Sequence, residues 1–140
     1  DSHVKSQVNG YKQCTTTNSS DYWLHCDVDE YFVLNEHSTF NEFILDERHV
    51  DVGSFWFGSE SYGSRKVDKP ISEIKSTGNF KKSRGNWKFT GCNTKCLVKS
   101  PIAWAYKHDS IIHKNRSQLG SCLHVDLNTA YFKHYGPHTG

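Results

Sequence analysis

Apolar residues fall along this chain in short bursts separated by polar stretches, and the spacing within each burst names an element. Trp23, Leu24, Cys26, Val28, Tyr31 and Phe32 favour extended backbone, so 23–32 reads as a mostly buried strand. Upstream, Val4, Val8, Tyr11 and Cys14 make the stripe of an amphipathic helix that Ser2 would cap and Gly10 would weaken. Residues 15–21, rich in Thr, Ser and Asn, read as a polar turn. Thr39 with Glu42 three residues on is a capping box. Phe40, Phe43 and Ile44 then form one face of a short helix ending near Arg48.

Residues 52–59 carry large apolar groups on both alternating sets, as a strand buried on both faces does. Glu60, Ser61, Tyr62, Gly63 and Ser64 after it read as a flexible loop. The polar stretch 66–86 reads as a solvated helix and loop, with cations at 66, 69, 75, 81, 82 and 84. Some of these could face a diphosphate, and no single one is marked out. A further strand over 95–99 runs into Pro101. Apolar residues then lead through Ile111 and Ile112 to His113, and a last burst covers 131–135.

One burst contains a conflict. Asp27, Asp29 and Glu30 put three carboxylates within four residues of an apolar strand. An ionised carboxylate loses several kcal/mol on burial unless something pairs with it. A strand that runs outward and delivers the three at its end removes the conflict. Asp27 and Asp29 would then project to one side, since side chains alternate along a strand. Two oxygen ligands on one side suit a hard divalent cation, with positions left for phosphate oxygens and water.

Composition narrows the classes. At 140 residues the chain is one domain with a modest core. A net charge of +2 carries no nucleic-acid footprint. Mean hydropathy of −0.72 and the lack of a long apolar run leave no membrane-spanning segment. Aromatics reach 14%, enough either to fill a core or to build stacking walls for sugars and bases. The chain opens at Asp1 without Met, and we read it as part of a longer protein. Five cysteines are scattered, with three residues between Cys92 and Cys96, which is looser than a zinc knuckle. An oxidising compartment would permit a disulfide with one cysteine left over. Cys26, inside the expected strand, reads as a small buried residue. Asn18-Ser19-Ser20 and Asn115-Arg116-Ser117 match the glycosylation acceptor pattern, which is short enough to arise by chance. His37 and His49 read as exposed polar residues.

Asp27-Val28-Asp29-Glu30, following a Trp-bearing apolar strand, resembles the D-x-D element of GT-A-fold glycosyltransferases. Within them it resembles the family 92 (DUF23-like) and family 2-like branch, where the string W-x-x-x-D-x-D-E-F recurs. Trp56-Phe57-Gly58-Ser59 before a Gly/Ser stretch is similar to a second segment of that branch, beside the donor sugar and acceptor pocket. The 95–101 strand is similar to a K-x-I-V-K-P landmark, with Ser100 interposed before Pro101. The approach to His113 and the His134-Tyr135 pair resemble later landmarks.

The resemblance implies an α/β fold, a GT-A-like mixed sheet flanked by helices. The present residues would be a C-terminal portion, with the nucleotide-binding half upstream. It implies Mn²⁺ or Mg²⁺ held by Asp27 and Asp29, with a late histidine completing the site. His134 is the first choice and His113 the second, and an ordinary hydrogen-bonded histidine is the alternative for each. It implies a nucleotide-diphosphate sugar donor, a glycan or other hydroxyl acceptor, and a single inverting displacement. Asp27, Asp29, Glu30, Trp56, Gly58, Ser59 and His113 would line the substrate, although Trp56 also reads as core. Glu60 is one candidate for the general base, and Glu30 would order the loop or a nearby water. Eukaryotic relatives act in the Golgi lumen and bacterial or viral ones in the cytoplasm, and the sequence does not choose. Two other classes fit parts of the pattern: a carbohydrate-binding module and a structural metal-binding module. An EF-hand is excluded, because Phe32 stands where its sixth-position glycine belongs.

Overall fold

The computed structural model describes residues 2–63, 70–82, 95–103 and 116–135. Strands dominate these residues, and the fold is mixed α/β with two α-helices. Helix α1 spans Ser2–Thr17 and runs through Gly10. It also takes in Thr15, Thr16 and Thr17, expected in a turn. Their hydroxyls donate to carbonyls three or four residues back, which satisfies them inside a helix. Strand β1 (Tyr22–Leu24) is followed by β2 (Glu30–Leu34), α2 (Phe40–Leu45) and a 3₁₀ turn over Glu47–His49. Thr39 caps α2, its Oγ1 accepting from Glu42 N at 3.1 Å, and Glu42 Oε2 accepts in return from Ser38 N at 2.9 Å.

Then come β3 (Val52–Phe57), β4 (Ser59–Tyr62), a 3₁₀ turn over Ile71–Glu73, β5 (Ser76–Lys81) and β6 (Lys95–Lys99). The described chain ends with β7 (Ile102–Ala103), β8 (Arg116–Ser117), β9 (Ser121–Val125) and β10 (Ala130–His134). Two segments therefore differ from expectation. Residues 60–62 are strand, because β4 pairs with β10 on one side and β5 on the other. Part of 66–86 is also strand and 3₁₀ turn, and 64–69 and 83–94 lie outside the described residues.

Two four-stranded mixed sheets form the body, ordered β1-β6-β3-β9 and β2-β10-β4-β5. In each, one pair is parallel (β3 with β9, β4 with β10) and the others are antiparallel. The chain crosses between the sheets at Gly58, so one continuous run of residues supplies β3 to the first and β4 to the second. Gly58 O accepts from Phe132 N at 3.0 Å, which ties the crossing to β10. Phe55, Phe57 and Leu97 of the first sheet meet Ala130 and Phe132 of the second, with Phe43 of α2 closing the cluster. Every residue from Gly53 to Phe57 is buried, as a strand covered on both faces should be. Gly53 permits this: a Cβ there would sit 1.7 Å from the Leu119 carbonyl oxygen.

His49 is buried, not exposed, and its Nδ1 lies 2.6 Å from the Phe43 carbonyl. His37 is largely covered and pairs with Asp46 at 2.9 Å. No described helix is long and apolar enough to cross a membrane.

Candidate metal and phosphate site

The three carboxylates come together, by a route different from the one the pattern predicts. β1 stops at Leu24 and β2 begins at Glu30, in a different sheet. Between them the backbone folds into a turn, with Glu30 N donating to Asp27 O at 3.1 Å. Val28 stands at the tip, fully exposed, and Cys26 is exposed as well, so neither belongs to a buried strand. A strand would have spaced Asp27 and Asp29 along its length, whereas the turn curls them together. One oxygen from each of Asp27, Asp29 and Glu30 lies within 4.8 Å of the others.

Each carboxylate is fixed differently. Glu30 Oε1 accepts from Asp27 N at 2.8 Å, locking the turn from inside. Lys95, at the start of β6, places its ammonium 3.1 Å from Glu30 Oε1 and 3.2 Å from Asp27 Oδ2. The Lys95 and Glu30 side chains are both nearly sealed from solvent, at 7% and 6% exposure, while Asp27 remains at 40%. Asp29 Oδ2 lies 3.2 Å from His134 Nε2. That contact follows from register, since His134 of β10 pairs with Glu30 of β2 and so reaches the residue beside it. The Asp29 carbonyl accepts from Tyr135 N at 2.9 Å. Asp29 Oδ1 is buried and has no hydrogen-bond partner among the described residues.

Burial pushes the Glu30 carboxyl above its ordinary value, against the pull of Lys95. Cys26 is exposed as a residue, but partial desolvation of its thiol and the neighbouring Glu30 charge raise it. Burial, aided by Lys95, lowers His25 to about 4, so this histidine is neutral at pH 7. Its ring stacks on Tyr11 of α1, with centroids 4.4 Å apart, which holds the helix against the base of the turn.

These residues suit a divalent cation. Among the described residues, three carboxylates face the one ammonium of Lys95. A buried carboxylate oxygen without a partner, Asp29 Oδ1, is costly as it stands and is the kind of donor a hard cation satisfies. Asp27, Asp29 and Glu30 supply the converging oxygens, and the half-exposed His134 lies beside Asp29, outside that group of three. Lys95 was not marked out by the sequence. Its signal was a lysine heading the apolar run Cys96-Leu97-Val98, because a lysine drawn into a buried strand requires a carboxylate.

The other expected positions lie at varying distances from this turn. Glu60, in β4, is buried and spends its carboxylate on Tyr62 Oη at 2.9 Å and Ser76 Oγ at 2.7 Å. Burial and Glu60 together push the Tyr62 phenol up to about 12. Glu60 faces Lys133 across β10, one strand removed from β2 and Glu30. Trp56 is buried in β3 and meets the His124 ring edge-on at 5.0 Å. Gly58 is buried at the sheet crossing, and Ser59 is half-buried at the start of β4. His113 and Cys92 lie outside the described residues. No protein-family model matches the chain, and no curated protein matches it.

Proposed function

We propose that this protein is a metal-dependent glycosyltransferase that moves a sugar from a nucleotide-diphosphate donor to a hydroxyl acceptor, with inversion. The observation that carries the reading is Asp29: one oxygen faces His134, the other is buried without a partner, and Asp27 and Glu30 converge on the same point. Mn²⁺ or Mg²⁺ bound there would supply neutralisation of the charge that develops on a leaving diphosphate. Asp27 and Asp29 hold the ion. His134 Nε2 holds Asp29 Oδ2 and would become a further ligand only by giving up that contact. Lys95 holds Asp27 and Glu30 in place and keeps the cluster from carrying three uncompensated charges.

Glu30 acts as a brace for the turn, since its carboxylate is committed to Asp27 N and Lys95. Glu60 is engaged by the hydroxyls of Tyr62, Ser76 and Tyr131, so service as the base requires those contacts to open. The D-x-D resemblance supports this reading and the donor class.

The test is turnover of a panel of nucleotide sugars by the protein, with and without metal. Donor hydrolysis or transfer is expected only with Mn²⁺ or Mg²⁺, and Asp29→Ala is expected to abolish it. Activity that survives Asp29→Ala, or that persists in EDTA, would reject the metal assignment.

A further inference from the structure

A concavity lies at the far end of β1 from the acidic turn, with a volume of about 390 Å³, inside the range of roughly 300–1,000 Å³ of small-molecule sites. The last turn of α1 and the segment after it form one wall, and the end of β6 with β7 forms the other. Trp23 and Pro101 give it an apolar surface, and Thr16, Asn18, Ser20 and Ser100 are among its polar lining. None of the described lining residues carries a charge.

The hydrogen bonds of these polar groups determine what they can still offer. Thr16 Oγ1 donates to the Lys12 carbonyl at 2.9 Å, and Ser20 Oγ donates to the Tyr22 carbonyl at 2.8 Å. Ser100 Oγ donates to the Ser20 carbonyl at 2.8 Å while accepting from Trp23 Nε1 at 2.8 Å. Asn18 Nδ2 donates to the Cys14 carbonyl at 3.0 Å. The hydroxyl protons of Thr15, Thr16, Ser20 and Ser100 are thus committed to backbone carbonyls, Ser19 keeps its hydroxyl to offer, and the lining presents mainly oxygen lone pairs. An anion would meet acceptors with no cation among the described lining residues to offset them. A purely apolar ligand would strip water from those oxygens without replacing its hydrogen bonds. A ligand that brings several O–H donors around an apolar ring face satisfies both halves of the site.

We propose that this groove binds a neutral saccharide, with Trp23 and Pro101 against the sugar's C–H face and the α1 end and Ser100 receiving its hydroxyls. The site rests on the lining of the groove and not on the metal reading. Its binding is therefore independent of divalent cations, and either proposal can fail without the other.

Saturation-transfer NMR with neutral trisaccharides of α-1,4-glucose, β-1,4-glucose and α-mannose tests it, with glucose 1-phosphate as the charged control. At least one trisaccharide is expected to bind in EDTA, with transfer strongest at its ring C–H protons. Thr16→Arg, an exposed helix position that leaves the core untouched, is expected to weaken binding at least tenfold with unchanged circular dichroism. Trp23→Phe, which loses the Ser100 anchor, is expected to weaken it as well. Failure of every trisaccharide to bind, unaltered binding in Thr16→Arg, or glucose 1-phosphate binding as tightly as the best trisaccharide would each overturn the proposal.

Discussion

Lys95 is the residue on which the acidic turn depends. Its ammonium lies between Asp27 and Glu30, and it shares nearly complete burial with Glu30. Breaking a buried pair by removing one partner costs about 3–5 kcal/mol, because the other charge stays buried and uncompensated. Lys95→Met is expected to lower stability by about that amount in urea unfolding. Adding Glu30→Gln to the same chain should recover a large part of the loss, since the carboxylate left behind, Asp27, is partly exposed to solvent. Equal instability of the single and double variants would show that Lys95 acts through packing alone.

His25 sets a pH dependence of its own. Its folded pKa of about 4 lies below the ordinary 6.5, so the unfolded chain binds the proton more readily. The contribution is complete above pH 6.5 and is lost as pH falls from there towards 4. A shift of this size corresponds to on the order of 3 kcal/mol. Measured in EDTA, His25→Phe should flatten the stability profile across that window while keeping an aromatic ring against Tyr11. An unchanged slope would remove His25 from the account.

At the level of elements, local rules and tertiary pairing divide the explanation. The capping box of α2 was legible because it is written in four consecutive residues, and Thr39→Ala is expected to cost about 1 kcal/mol. The burial of β3 on both faces was legible in its composition. The boundary between β1 and β2 was not, because the apolar run across 23–32 hides a change of sheet: Trp23 pairs with Val98 and Tyr31 with Lys133. Residues 60–62 look like a loop by composition and become strand only because β10 and β5 flank them. Gly53 shows the same limit, since its requirement is the Leu119 carbonyl, far away in sequence. Gly53→Ala is expected to destabilise by about 3 kcal/mol or more, at the upper end of overpacking costs. Wild-type stability in that variant would mean that the 118–120 turn yields freely.

Over the whole molecule, the site is assembled where the two sheets face each other. Lys95 comes from the first sheet, Glu30 and His134 from the second, and Asp27 and Asp29 from the turn that links them. The membership of Asp27 and Asp29 was readable from the D-x-D pattern. The register of β10 on β2 puts His134 beside Asp29, and the resemblance alone names it as a ligand. Because the shared core holds this geometry, damage to the core should reach the site. Phe132→Ala is expected to cost about 3–5 kcal/mol and to weaken divalent-metal binding, although no ligating residue has been changed.

The most direct measurement is a Mn²⁺ titration followed by electron paramagnetic resonance, comparing the unaltered protein with Asp29→Asn. The substitution keeps the shape of the side chain and removes its charge. The account predicts one saturable Mn²⁺ site in the unaltered protein, tightened by added pyrophosphate and lost in Asp29→Asn. Free Mn²⁺ signal throughout the titration of the unaltered protein, or equal binding by both, would contradict it.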